Sequence, residues 1–408
     1  MTESTAVPGL PVTEDGFDLF TPLRRRGLDP IDDLARLRER TPVRKLEFFL
    51  GISAWVVSGY SQAKDTLGDA ASYSNDFQQL TAVSSGAAPA EKNPGGLGMS
   101  DPPQHTRLRK LLTPEFTMRR LRRLTPRIDE IIDELLSAMA AAGSPADLAA
   151  AFAVPLPSLV ICELLDVPYP DRAAFQKLSG ARFDMFGGAG TGLDAVSESL
   201  EYMRTLVARQ RREPGDGLLG MLIRDHGDEL SDEELAGLAD GVLIGGHETT
   251  ASMLALGTIT LLTHPEAAAV ARDGEPDAVH RLVEELLRYL SVVQVAFPRI
   301  ARADTKIGDA QIRAGDVVLC SLSGANRDPA CVTGADRFEP GRAPSPHLAF
   351  GHGIHRCIGS ELARMELRAA YPALFRRFPG LRLDRPSADI AFREYSVVHG
   401  VEALPVAW

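Results

Sequence analysis

The residues best placed for chemistry form one short run, Phe350-Gly351-His352-Gly353-Ile354-His355-Arg356-Cys357-Ile358-Gly359. It sets one cysteine in a glycine-rich loop, beside a histidine and an arginine, just before a helical pattern. A thiolate is a soft, strongly donating metal ligand, and glycines let a backbone approach a flat cofactor that side chains would hold off. His355 is close enough in sequence to reach a carboxylate on that cofactor's edge. A helix opening at Ile358 would aim its positive end at the sulfur of Cys357 and favour the anion. A lone cysteine is more often a buried structural thiol. The spacing of Phe350, Gly353, His355 and Gly359 around Cys357 argues otherwise.

Three further constellations stand out. His105 and Arg109 lie one helical turn apart after Pro102-Pro103, so both face the same way and suit an anion. Taken alone, such a pair also fits a solvated basic face. Glu285 and Arg288 have the i, i+3 spacing of a helical ion pair, which is common and weak by itself. Gly245-Gly246-His247-Glu248-Thr249-Thr250 interrupts a long helical pattern from Asp232 to Leu262 with two glycines, an acid and β-branched alcohols. That is poor mid-helix sequence, and a local violation of propensity marks a functional site. His247 reads as a pocket or helix-packing residue rather than a metal ligand, and His352 as a surface side chain.

The elements that must hold these residues are mostly helical. A short helix is expected over 31–40, a strand hairpin over 43–57, and a loop through Ser84–Pro89 to Gly98. Helical periodicity dominates from 103 to 300, with breaks at Gly143-Ser144-Pro145, 168–170, 187–190 and 213–215. Strand-like sequence follows around 292–322, and the tail near 396–406 is expected to join a small sheet. The fold class is therefore mainly α with a small β-sheet region. The 408 residues carry no repeat, charge block or linker and read as one domain, 1–408. With 44% hydrophobic and 24% charged residues the chain can bury a sizeable core. No run of 18 apolar residues occurs and the start is polar, so neither a membrane anchor nor a signal peptide is expected, and the location is expected to be cytoplasmic. The net charge of −11 argues against nucleic acid as a partner. The four cysteines, at 162, 320, 331 and 357, include no C-x-x-C pair, and Cys162 and Cys320 read as core, which disfavours a disulfide framework or zinc site.

The cysteine run resembles the F-x-x-G-x-H-x-C-x-G signature of cytochromes P450, and the other motifs follow in that family's order over essentially the whole chain. The resemblance implies the cytochrome P450 fold and haem b as cofactor, with Cys357 as the axial iron ligand that pushes electron density onto the metal. It implies that His105, Arg109, Arg299 and His355 bind the haem propionates. Glu285 and Arg288 match the family's E-x-x-R pair, and Arg337 matches the arginine completing its triad. If so, Glu285→Ala abolishes haem incorporation. Gly245 and Gly246 would open a groove for dioxygen, Thr249 would hydrogen-bond oxygen as it is activated, and Glu248 would conduct protons.

The closer similarity is to actinomycete enzymes of secondary metabolism, including the glycopeptide-antibiotic crosslinking P450s. The intact Glu248-Thr249 pair favours oxygen insertion. Pro168-Tyr169-Pro170-Asp171-Arg172 keeps only part of the P-R-D-D-R run those enzymes use to dock on a peptide synthetase. The implied activity is hydroxylation or epoxidation of a lipophilic small molecule, in a pocket formed by the loop 75–99, Phe183–Gly192, Val292, Val293, Val295, Phe297 and the turn at Val397–Val398. The alternatives are oxidative coupling or hydroxylation of a carrier-bound amino acid or peptide and, outside catalysis, a haem-based sensor. No G-x-G-x-x-G unit suggests a fused reductase, so electrons are expected from an external ferredoxin and ferredoxin reductase. Arg107, Lys110, Arg119, Arg120, Arg122, Arg123, Arg356, Arg364 and Arg368 are the expected ferredoxin-docking patch. A monomer is expected.

Overall fold

The computed structural model describes residues 16–47, 53–76, 96–173 and 189–408. The expected loop through Ser84–Pro89 and the Phe183–Gly188 part of the pocket lie outside them. Helices dominate, as the periodicity predicts. Those that position the site are α1 (Gln104–Leu112), α2 (Thr125–Ala142), α3 (Pro155–Leu165), α4 (Ala189–Arg212), α5 (Asp232–Thr263), α6 (Pro276–Leu290) and α7 (Ser360–Arg377).

Helix α5 is the axis of the molecule. It starts with a capping box: the Ser231 hydroxyl accepts from the Glu234 amide at 3.2 Å, and the Glu234 carboxylate accepts from the Ser231 amide at 3.1 Å. Its residues are buried on nearly every side over Leu235–Asp240 and Thr250–Leu261, with a more open stretch between, because α3, α4, α6 and α7 all pack against it. That explains why the segment is apolar around its whole circumference. Where α7 crosses it, the Tyr371 hydroxyl donates to the Met253 carbonyl. A Cβ on Gly257 would stand 1.9 Å from that hydroxyl, so only glycine lets the two helices meet there. Among the described residues no single helix is long and apolar enough to cross a membrane.

The expected hairpin forms from β1 (Val43–Glu47) and β2 (Ser53–Val57), with Val43 opposite Val57. Three further strands complete a mixed sheet: β3 (Tyr73–Ser74), β4 (Arg299–Ala301) and β5 (Val317–Cys320). Its order is β1-β2-β5-β4-β3, with β2 and β5 parallel. Strand β4, paired on both sides, thereby fixes the buried Arg299 within the sheet. A second sheet places the tail strand Pro405–Ala407 between Ala146–Asp147 and Arg382–Leu383. All four cysteines are free, and Cys162 and Cys320 are buried as expected.

Candidate active site

The Cys357 loop is shaped by Gly353, whose φ is +73° and whose missing Cβ would lie 2.5 Å from the Leu67 carbonyl oxygen. No other residue fits that conformation and that approach. The Cys357 amide closes the loop by donating to the Phe350 carbonyl at 2.9 Å. Helix α7 begins at Ser360, two residues later than expected, with Gly359 at its N-cap. Cys357 carries accessible surface, yet protein surrounds its sulfur so closely that burial raises the thiol pKa. Opposing burial, the Gly359 amide, Arg109, Arg356 and Arg364 all favour the thiolate.

Behind the loop lies a buried polar frame. Glu285 and Arg288 on α6 form a two-point ion pair at 2.8 and 2.9 Å, each nearly sealed from solvent. Arg288 also donates to the carbonyls of Asn326 and Ala335, at 2.8 and 2.7 Å. Asn326 in turn accepts from the Leu348 amide at 2.6 Å, two residues before Phe350, so the pair is wired to the cysteine loop. The expected third member is corrected. The Arg337 side chain is 75% exposed and pairs with Glu339; Arg342 takes the place, donating to Glu285 at 3.0 Å from a side chain 10% exposed. Arg337 contributes only its carbonyl, which accepts from Arg288 at 3.1 Å.

A second node, missed in the sequence, is Glu284. It binds Arg364 at 2.6 and 2.9 Å and His347 at 3.2 Å. Burial would raise this carboxyl, but the hydrogen bonds and charges of Arg364 and His347 outweigh it and hold the pKa far below the usual range. Arg364 lies over the Phe350 ring, 4.6 Å from its centroid. It is therefore a buried strut of the cysteine loop, which removes it from the expected docking patch. Arg368 and Arg107 are likewise paired, with Glu284 and Glu234. Lys110, Arg119, Arg122 and Arg356 are exposed.

His105, Arg109, Arg299 and His355 converge. The rings of His105 and His355 lie 4.2 Å apart, and neither nitrogen of the buried His105 has a hydrogen-bond partner. Burial, then the proximity of His105 and Arg299, pushes the His355 pKa down to about 3. Burial also lowers the pKa values of His105, Arg109 and Arg299. Donors that repel one another, with both His105 nitrogens unsatisfied and Asp101 opposing the repulsion, form a site that favours an added anion.

On α5, Gly241, Gly245 and Thr249 recur one turn apart, and a Cβ at either glycine would meet open space. The Thr249 hydroxyl donates to the Gly245 carbonyl at 2.7 Å. Glu248 faces inward, 4% exposed, and accepts from Ser252 at 3.4 Å. It also pairs with Arg393, a partner the sequence did not suggest. Gly246 packs against Ile161, which a Cβ would approach to 3.0 Å. His247 is a packing residue as expected: one ring nitrogen lies 3.1 Å from the Val154 carbonyl, and burial pushes its pKa down to about 4.

The family model described as Cytochrome P450 matches residues 193–273 and 278–386. The chain is 42% identical over 396 residues to cytochrome P450 FAS1 of Rhodococcoides fascians, covering 96% of this chain and 99% of that one. This chain is a cytochrome P450. It is also 40% identical over 386 residues to the mycinamicin IV hydroxylase/epoxidase of Micromonospora griseorubida, covering 94% and 96%. Among solved structures, P450 StaH from glycopeptide antibiotic A47934 biosynthesis superimposes with a TM-score of 0.87 at 41% identity, covering 95% of this chain and 99% of that one.

Cytochromes P450 carry haem, and the donor set of this P450 fits it. A thiol whose burial is opposed by an amide and three arginines suits a ferric centre, and the unsatisfied site beside Arg109 and Arg299 suits the two haem carboxylates. The expected pocket residues divide. Phe297 and Val397 expose apolar side chains, 56% and 40% accessible, and Val293 is half-buried. Val292 and Val295 are both buried, Val292 within the helical core. Met99, 48% exposed, is an apolar surface the sequence did not single out, and its neighbour Gly98 abuts the Phe297 ring. A surface groove of about 580 Å³ between α2, α6 and α7 shares none of these residues.

Proposed function

We propose that this P450, a monooxygenase of secondary metabolism, inserts one oxygen atom of O2 into a free, lipophilic small molecule, with electrons from a ferredoxin and its reductase. The carrying observation is the apolar surface of Phe297, Val397 and Met99 in the same molecule as an intact Glu248-Thr249 pair. In this reading residues 1–408 act as one haem domain, and haem held there would supply the oxygen-activating chemistry. Cys357 would ligate the iron, and His105, Arg109, Arg299 and His355 would hold the propionates. Glu248 would pass protons along α5, and the Thr249 hydroxyl would exchange its bond to the Gly245 carbonyl for one to oxygen. With Arg364 and Arg368 drawn under the loop, the exposed Arg107, Lys110, Arg119, Arg120, Arg122, Arg123 and Arg356 form the surface left for an acidic ferredoxin.

A second reading, action on a carrier-bound peptide, is supported by the similarity to P450 StaH. Against it, the two charged residues of the docking run are engaged internally, although Tyr169 beside them is exposed: Arg172 donates to Glu163 at 2.6 Å and Tyr202 to Asp171 at 3.2 Å. Optical titration of the ferric protein separates the two. Free macrolide, terpenoid or aromatic ligands should produce the low-to-high-spin shift. A shift obtained only with carrier-bound amino acids or peptides would overturn the free-substrate reading.

A further inference from the structure

The partner of Glu248 comes from the far end of the chain. Arg393 and Glu248 form an ion pair whose side chains are 26% and 6% exposed. Arg393 belongs to a hairpin closed by its amide on the Gly400 carbonyl at 2.9 Å and by the bridge between Phe392 and Val401. The stem of the hairpin is pressed onto α5. A Cβ on Gly400 would lie 2.7 Å from the Ser252 hydroxyl and 3.4 Å from the Arg393 guanidinium carbon. Its tip meets the pocket wall: the Val397 carbonyl accepts from Gln294 at 2.9 Å, and Val398 bridges Val293. One small hairpin thus carries both an exposed apolar pocket residue and the counter-ion of the buried acid.

We propose that Arg393 is a positioning residue that sets the carboxylate of Glu248, and that ligand contact at the Val397 tip is transmitted to that carboxylate through Arg393. Ligand pressure on the tip moves the stem, and the stem moves the guanidinium. Because the pair is mostly buried, a small displacement changes which direction the carboxylate faces and how strongly it is held. This inference rests on the proton-moving role proposed for Glu248.

The test uses the haem-loaded protein and a probe that requires neither substrate nor redox partner: oxidation of the dye ABTS driven by hydrogen peroxide. Variants are first shown to be folded by full haem content and the carbon monoxide spectrum of the parent. Arg393→Gln should lower the rate about tenfold, part of the contribution of a positioned proton donor, and should raise the solvent isotope effect. Arg393→Lys should recover most of the rate. Adding Arg393→Gln to Glu248→Gln should cost nothing further. In the infrared, Arg393→Gln should move a carboxylate band that is missing in Glu248→Gln. If Arg393→Gln fails to load haem, Gly400→Ala displaces the pair without removing the charge and should lower the rate in the same way.

A lowered rate in Glu248→Gln with rate, isotope effect and infrared band all unchanged in Arg393→Gln overturns the inference and leaves the role of Glu248 standing. Multiplicative losses in the double variant overturn it as well. An unchanged rate in Glu248→Gln overturns the role of Glu248 and the inference with it.

Discussion

Arg342, not Arg337, should carry the stability of the cysteine loop's frame. The Arg342 guanidinium donates to Glu285 at 3.0 Å, to the Thr333 and Gly334 carbonyls at 2.8 and 3.1 Å, and to the Arg337 carbonyl at 3.2 Å. Truncating one partner of a buried ion pair costs about 3–5 kcal/mol when it strands the other charge. Arg288 still neutralises Glu285 through two bonds, so Arg342→Ala belongs at the lower end, about 3 kcal/mol. At roughly 2 °C per kcal/mol for a chain of this size, the thermal midpoint should fall by about 6 °C. Haem content per protein should fall with it, because the Leu348 end of the loop hangs from the same frame. Arg337→Ala removes only an exposed guanidinium and leaves the carbonyl in place, so midpoint and haem content should hold. Scanning calorimetry and the ratio of haem to protein absorbance read both variants. Equal losses in the two, or a greater loss in Arg337→Ala, would refute the assignment.

Two further outcomes follow from particular side chains. Neither ring nitrogen of His105 is hydrogen-bonded within the protein, so His105→Phe should leave the apoprotein's urea midpoint unchanged or higher while weakening haem retention roughly 10- to 150-fold, the loss of a charge-assisted hydrogen bond. Haem transfer to apomyoglobin measures the second effect; a destabilised apoprotein would count against the assignment. Glu366, 2% exposed and with one carboxyl oxygen unpartnered, is pushed up to about 8 by burial. Between the unfolded value near ~4.3 and about 8, the unfolded chain gives up a proton that the folded chain keeps, so stability falls as pH rises. The slope approaches about 1.4 kcal/mol per pH unit and levels off above the folded value. Urea midpoints across this range should show that slope, and Glu366→Gln should flatten it; a slope unchanged in the variant would refute the attribution.

Much of this site was legible because its motifs are local. The cysteine loop, the Glu285-Arg288 pair and the glycine-interrupted stretch of α5 each declare themselves within one loop or two helical turns, where spacing fixes geometry. The failures are all matters of tertiary reach. Arg337 and Arg342 lie in the same irregular segment, and nothing in spacing tells which guanidinium turns inward; only the path of the chain past Glu285 decides. Arg364 looked like surface charge because helix α7 carries several arginines, yet Glu284 and the Phe350 ring draw it under the loop. The contact of Arg393 with Glu248 joins the end of the chain to its middle, and no periodicity reports such a meeting.

The crossing of Tyr371 over Gly257 sets how α5 is free to respond to anything bound beside it. A helix pinned by a phenol on its own carbonyl, with no space for even a methyl group, cannot slide or rotate at that point. The pin lies two turns beyond Thr249, while Gly241 and Gly245 leave the preceding turns lightly packed. The motion expected of the helix is bending ahead of the pin, as in a cantilever clamped toward its C-terminal end and compliant at the stretch that carries Glu248 and Thr249. Amide exchange should therefore be slow after Met253 and faster across Gly241–Gly246, and ligands should alter the second rate far more than the first.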